Sequence, residues 1–336
     1  MSAQRTYFSL FTEEEQEKLH KLEKQRIILR RKPALWIIAS TLFLAVMGIM
    51  GGVIEMAEYG NSVWPYVIML VAVLGFFGFV AWITFKFPDR DSLSYKYKRM
   101  MLRRVVPHIL PGWVFASSHR LMNEDIRKSG LFRDKANRIA REDYLFGPAG
   151  KVVAEVYQIT LQSESSSNRD PRTGAVIQRE IPTNHFYGYF YRVHCPVIFP
   201  CEVWVFPKKK KASGETDEWA LLTDQKYSKA HHIAKFESGD PDFDSRFNVY
   251  TTDPKLATRI ISENRRKSLA EMDRLYASAI AVSYTENKVY VMVGYADDPL
   301  DIHLKNEIGE KLLKEHADEL SRMKDVALLA VGDLFR

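Results

Sequence analysis

The sequence predicts an α+β protein tied to a membrane by a helical hairpin, and three observations carry that expectation. Two long runs, residues 34–54 and 63–85, contain no Asp, Glu, Lys, Arg or His. Each is about as long as a helix needs to cross a hydrocarbon layer of roughly 30 Å, and each is apolar on every side. The third observation is the remainder of the chain, where strands group into hairpins and helices are interposed late, a pattern of an antiparallel sheet rather than of βαβ units.

The chain begins with a polar arm, residues 1–33. Thr12 and Glu15 have capping-box spacing and open an amphipathic helix from about Glu13 that carries Leu19, Leu22, Ile27, Ile28 and Leu29. Its apolar repeat covers barely two heptads, which favours a solvated or interfacial helix over a coiled-coil seam. The arm has neither the short basic start nor the small-residue cleavage site of a removable signal peptide. Residues 34–87 form the predicted hairpin. Trp36, Tyr59, Trp64, Tyr66 and Trp82 lie near its interfaces, and Gly48 with Gly52, and Gly75 with Gly78, offer small residues for close helix packing. The loop between the runs holds Glu55 and Glu58 and no Lys or Arg, while both outer flanks are rich in them. This positive-inside bias places both termini in the cytoplasm.

Residues 88–120 read as a basic juxtamembrane helix, capped at Asp91 or Ser92 and running to Val106, followed by a connector broken at Pro107, Pro111 and Gly112. Lys96, Lys98, Arg99, Arg103 and Arg104 on this helix, interleaved with Tyr and Met, are the expected contacts to anionic lipid headgroups. The formal net charge of +6 is modest and concentrated beside the membrane. It is better explained by topology than by nucleic-acid binding.

Residues 121–336 form the expected cytoplasmic α+β domain, long enough for its own core. An Arg-rich connector ends in a turn at Gly147, Pro148 and Gly150. A strand follows over residues 152–161, where the apolar phase slips at Val156 and Tyr157, so either a bulge interrupts it or both faces are buried. Residues 163–181 read as a polar excursion, and residues 186–193 and 197–206 as aromatic and β-branched strands. Residues 207–219, with Lys208 to Lys211, read as a second exposed loop. Residues 246–251 give a short strand, and Asp253 with Pro254 an N-cap and first-turn proline that open a helix. A second helix carries Leu269, Met272 and Leu275. The clearest hairpin sets Ile280, Val282 and Tyr284 on one arm and Val289, Val291 and Val293 on the other, joined at Glu286 and Asn287, and Leu304, Ile308, Leu312, Leu313 and Leu320 mark a closing helix.

Several residues bear on chemistry. His185, His194, Cys195 and Cys201 lie close together, yet the gap between the cysteines exceeds usual ligand spacing and no second cysteine pair exists, so packed thiols are favoured over a metal. In the reducing cytoplasm no disulfide is expected. Asp240, Asp242 and Asp244 imitate the start of a calcium loop, but Ser245 and Thr251 occupy the positions that require Gly and Glu. The chain carries no phosphate-binding glycine loop, nucleophile elbow or zincin motif. No catalytic residue, cofactor or metal is therefore assigned. Spans without ionisable groups also disfavour a proton or ion relay.

With these elements in place, residues 121–295 resemble a family of bacterial two-span membrane proteins catalogued as a domain of unknown function. The resemblance rests on Ser129-Gly130-Leu131-Phe132, Glu142-Asp143 with Gly147 and Gly150, the Phe186-Tyr187-Gly188-Tyr189-Phe190 strand, and Phe236-Glu237-Ser238 through Asp242-Phe243 to Phe247-Asn248-Val249-Tyr250. Val289-Tyr290-Val291 closes it. It implies a membrane-anchored cytoplasmic α+β domain at a bacterial inner membrane and brings no activity. The expected role is a non-catalytic binding or scaffold module with a protein partner or a second copy. A membrane-associated hydrolase and an oligomeric pore remain the alternatives.

Overall fold

A computed structural model describes residues 6–58, 67, 70–71, 73–80, 90–116, 121–132, 138–163, 168–169, 176–178, 183–208, 232–276 and 280–332. The chain divides into two compact units, one of residues 1–104 with 300–315 and the other of residues 105–299 with 316–336.

The first unit is built on α1 (Glu13–Glu58) and most of α2 (Arg90–Ile109). The predicted capping box forms: the Thr12 N–H donates to Glu15 Oε2 at 2.9 Å, and the Glu15 N–H to Thr12 Oγ1 at 3.4 Å. Arm and first apolar run are one uninterrupted helix, with Pro33 inside it. Leu19, Leu22, Arg26 and Leu29 are buried at helical spacing, so the amphipathic stripe is packed within the unit rather than solvated, while Ile27 and Ile28 stay outside. Arg26 clamps the 300–315 segment, donating to the Leu304 carbonyl at 2.5 Å and forking onto Glu23, which accepts the Ile308 N–H at 2.9 Å. Burial alone would raise the Glu23 carboxyl, but Arg26 and that N–H outweigh it and hold it below its ordinary value. From α2, Leu93, Tyr97, Met101 and Leu102 fill the same core.

Beyond this core the helix changes character. Ile37, Leu42, Leu44 and Ile49 are 65–69 % exposed. Among the described residues this is the one helix long and apolar enough to cross a membrane, where the sequence predicts a hairpin of two. The loop 59–66 and residues 81–89 lie outside the described residues, and with them Tyr59, Trp64, Tyr66 and Trp82. The described part of the second run, including residues 73–80, is helical, and Phe76 stacks on Phe43 at 4.0 Å. Gly48, Gly75 and Gly78 meet nothing within 4 Å, so aromatic stacking, not the expected small-residue packing, makes the described contact.

The second unit contains a nine-stranded antiparallel sheet among the described residues. Its strands are β1 (Val114–Ala116), β2 (Arg138–Ala149), β3 (Val152–Ser163), β6 (Thr183–His194), β7 (Val203–Pro207), β8 (Ala234–Phe236), β9 (Phe247–Thr251), β10 (Ile280–Thr285) and β11 (Lys288–Gly294), in the order β1-β2-β3-β6-β11-β10-β7-β9-β8. The short pair β4 (Asn168–Arg169) and β5 (Val176–Gln178) lies within the predicted polar excursion. Helices α3 (Asn123–Lys128), α4 (Pro241–Arg246), α5 (Pro254–Ile260), α6 (Glu263–Tyr276) and the greater part of α7 (Glu310–Val331) complete the unit. The closing helix starts later than predicted, since Leu304 and Ile308 precede it.

Both faces of the sheet are covered, which settles the phase slip in β3: residues 156–159 are buried on both sides, and the irregular register falls opposite, between Arg141 and Tyr144 of β2. One face meets α6 and α7, where the Tyr284 hydroxyl donates to the Ala330 carbonyl at 3.1 Å and the Arg265 guanidinium lies over the Tyr284 ring at 5.4 Å. The other face packs Phe190, Tyr157, Tyr290, Met292, Trp204 and Phe206 against Leu121, Ile126, Leu131 and Phe132. Trp204 Nε1 donates to the Ser129 carbonyl at 3.1 Å. Gly130 follows at φ +67°, where an added Cβ would meet that indole nitrogen at 2.3 Å.

Three strands of the sheet escape the sequence reading, β1, β2 and β8, and the predicted strand over 197–206 shortens to β7. The Glu286 and Asn287 hairpin forms as predicted, with Thr285 opposite Lys288 and Glu286 at φ +52°. Asp240 is an N-cap, accepting from the N–H groups of Asp242 and Phe243, while Asp244 accepts from those of Ser238 and Gly239. The aspartates that mimic a calcium loop thus hold a short helix start, and Asp240 also pairs with Arg266 at 3.3 Å.

Candidate functional site

Within the first unit, α1 and α2 face each other across a groove with a cavity of about 450 Å³. Glu15, Lys18, Lys21, Leu22 and Gln25 line it from α1; Tyr95, Lys96, Arg99, Met100 and Arg103 line it from α2. The three- and four-residue spacings put each set on one helix face. Five side chains are basic and one is a carboxylate. That carboxylate is engaged, because Glu15 accepts from Arg104 Nε at 2.9 Å besides capping α1. Burial alone would raise its carboxyl, but the Thr12 N–H and Arg104 more than offset this and hold it low.

The other charges are arranged unevenly. Lys18 pairs with Glu14 at 2.6 Å and Lys21 with Glu17 at 2.8 Å, both exposed pairs within one helix. Neither contributes much to stability. Arg99 is half-buried, its guanidinium 6.0 Å from the Tyr95 ring centre, and its Nη1 donates to the Tyr95 hydroxyl at 3.2 Å. Its Nε is buried with no hydrogen-bond partner.

Of the five residues predicted to touch lipid, Lys96, Arg99 and Arg103 converge on the groove, and Arg104 stands beside it on Glu15. Lys98 is buried at 6 % exposure and is turned away from that face. The α1 half of the groove, Lys18, Lys21 and Gln25, was missed. Its helical spacing matches that of residues 96, 99 and 103, but nothing in sequence says that the two helices face each other.

In the second unit an ion cluster joins β3, β6 and α3. Glu155 accepts from Arg192 Nε, from Tyr144 at 3.0 Å and from His194 Nε2 at 2.9 Å, while Arg192 Nη1 reaches Asp125 of α3 at 2.8 Å. Burial would raise the Glu155 carboxyl, yet His194 and Arg192 outweigh it and pull it down to about 2. Cys195 is buried, and that burial pushes its thiol up to about 11. Cys201 is a free, buried thiol that accepts from Thr251 Oγ1 at 3.6 Å. The side chain of His185 lies outside the described residues. Among them, no group of three or more His, Cys, Asp and Glu is placed to hold a metal ion.

These units define a class: an α+β sheet domain in one chain with a helix able to cross a membrane. Residues 184–328 match a family model described as "Protein of unknown function (DUF3137)". The match agrees with the resemblance seen in the sequence, begins at β6, runs through β11 into α7, and lies wholly beyond the apolar runs. No curated protein matches the chain. Among solved structures, the crystal structure of the mycobacterial trehalose monomycolate transport factor A, TtfA, is similar at 13 % identity and a TM-score of 0.34, over 66 % of this chain and 94 % of that one.

Proposed function

We propose that the chain is a membrane-anchored, non-catalytic binding module of a bacterial inner membrane. In this reading α1 crosses the bilayer, residues 63–85 cross back, and both termini stay in the cytoplasm. The basic residues Lys96, Arg103 and Arg104, with Arg99, draw anionic groups to the helical unit beside the membrane, and the α+β domain offers its surface to a protein partner or a second copy. The observation that carries it is the exposure of Ile37, Leu42, Leu44 and Ile49, each near two-thirds. A continuous apolar surface on that scale is costly in water and is satisfied by lipid. The charge bias across residues 55–62 and the stacking of Phe76 on Phe43 support the return crossing.

Reporter fusions test the topology. A fusion at Gly60 is expected to read out on the far side of the membrane and one after Arg336 in the cytoplasm. A far-side signal from the C-terminal fusion, or release of the intact protein by alkaline carbonate, would overturn the reading.

A further inference from the structure

We propose that the groove between α1 and α2 is a discrete site for one phosphate-type anion bearing an apolar portion; this rests on the reading above that the basic residues of α2 attract anions. A merely cationic surface would spread its charges outward into solvent. Here Lys96, Arg99 and Arg103 recur on one face of α2 and converge with Lys18 and Lys21 on a cavity of about 450 Å³, within the size range of small-molecule sites, roughly 300–1,000 Å³. Like charges at such helical spacings repel, and an anion between them relieves that repulsion.

The donors are of the right kind and are available. Lys18 and Lys21 are partly neutralised by Glu14 and Glu17, and Glu15 is taken by Arg104. Lys96 and Arg103 have no carboxylate partner among the described residues, and the buried Arg99 Nε donates to nothing. Because the Tyr95 hydroxyl accepts from Arg99, its own proton is free to donate. A guanidinium beside ammonium groups and a phenol is a donor set suited to phosphate oxygens. Leu22, Met100 and the Tyr95 ring supply an apolar wall to the same cavity.

The anion has two possible sources, and the helix geometry separates them. At 1.5 Å per residue, Gln25 stands about 13 Å and Glu15 about 28 Å along α1 from the start of the apolar run. The headgroup layer of each leaflet is only about 5–8 Å thick. A soluble phosphate ester enters directly, whereas a lipid headgroup must be lifted from the leaflet.

The experiment uses the full chain in phosphatidylcholine nanodiscs. In one arm it is titrated calorimetrically with inorganic phosphate and with hexyl phosphate. In the other, nanodiscs carry a few per cent phosphatidic acid and binding is read from protection of Lys18, Lys21 and Lys96 against amine labelling. The site predicts saturable binding of one ligand per chain, tighter for hexyl phosphate than for inorganic phosphate, and weakened at least tenfold by Arg99→Gln. Lys96→Gln and Arg103→Gln, both at exposed positions, give the same weakening should Arg99→Gln fail to fold. Binding in the first arm assigns a soluble ligand, and binding only in the second assigns a headgroup. A correctly inserted chain that binds in neither arm, or equally well in all variants, overturns the site and leaves the anchoring intact. Failure to insert would instead overturn the anchoring.

Discussion

Glu155 on β3 and Arg192 on β6 are direct cross-strand partners, and their charges meet on the sheet face that also carries the aromatic core. The row continues through Tyr290 of β11, Ser283 of β10 and Trp204 of β7. An ion pair there is tolerated because it is shared: Asp125 takes a second edge of the guanidinium, the Tyr157 hydroxyl accepts from Nη2 at 3.1 Å, and Tyr144 and His194 donate to the carboxylate.

That arrangement predicts an acid-sensitive sheet. The Glu155 carboxyl is held at about 2 in the folded chain, against about 4.3 for an unfolded glutamate. A depressed folded value means the stabilisation is complete above the unfolded value and is lost as pH falls from about 4.5 to 2. After discounting for solvent screening it amounts to about 2 kcal/mol. Urea unfolding followed by tryptophan fluorescence should show that loss, and Glu155→Gln should flatten it while lowering stability at neutral pH. An unchanged acid slope in Glu155→Gln would refute the assignment.

How much of this was legible depended on local signals. The β10–β11 hairpin was readable because β-branched or aromatic residues recur at every second position on both arms of a two-residue turn. The Asp253 and Pro254 helix start was readable because the cap lies within its own segment, with Asp253 accepting from Lys255 and Leu256. β2 was not, since its Arg, Glu and Asp residues, followed by Gly147 and Pro148, resemble a connector. Gly147 is required there by a distant residue, for a Cβ would meet Trp113 atoms at 2.4 Å. The groove and the Glu155 cluster were hidden for the same reason: Glu15 and Arg104, like Glu155 and Arg192, meet only through tertiary structure.

The aromatic face sets the stability of the sheet unit. Phe190 has no exposed surface and lies 5.7 Å from the Tyr290 ring and 5.9 Å from Phe132. Phe190→Ala should cost about 3–5 kcal/mol, because the lost contacts leave a cavity between strands that have little freedom to close it. Ile198→Ala, at a side chain 81 % exposed, should stay within about 0.5 kcal/mol of the parent. Paired urea midpoints measure both. Equal effects would show that this face is not the core.

The last prediction separates a binding module from an enzyme. Cys195 is the residue a nucleophilic mechanism would recruit first, with His194 next to it in sequence. In the fold they part: the Cys195 thiol is buried near the Val193 carbonyl at 4.0 Å, while His194 turns to Glu155. With its thiol raised to about 11, Cys195 exposes about one thiolate in ten thousand at pH 7. The native protein should therefore react with iodoacetamide far more slowly than the urea-unfolded chain, and mass spectrometry can follow both cysteines. Cys195→Ser and His194→Asn should retain function in cells wherever the protein is folded and inserted. Losing a nucleophile or general base typically costs orders of magnitude in rate, so a folded, inserted Cys195→Ser or His194→Asn variant without function would replace the binding reading with a catalytic one.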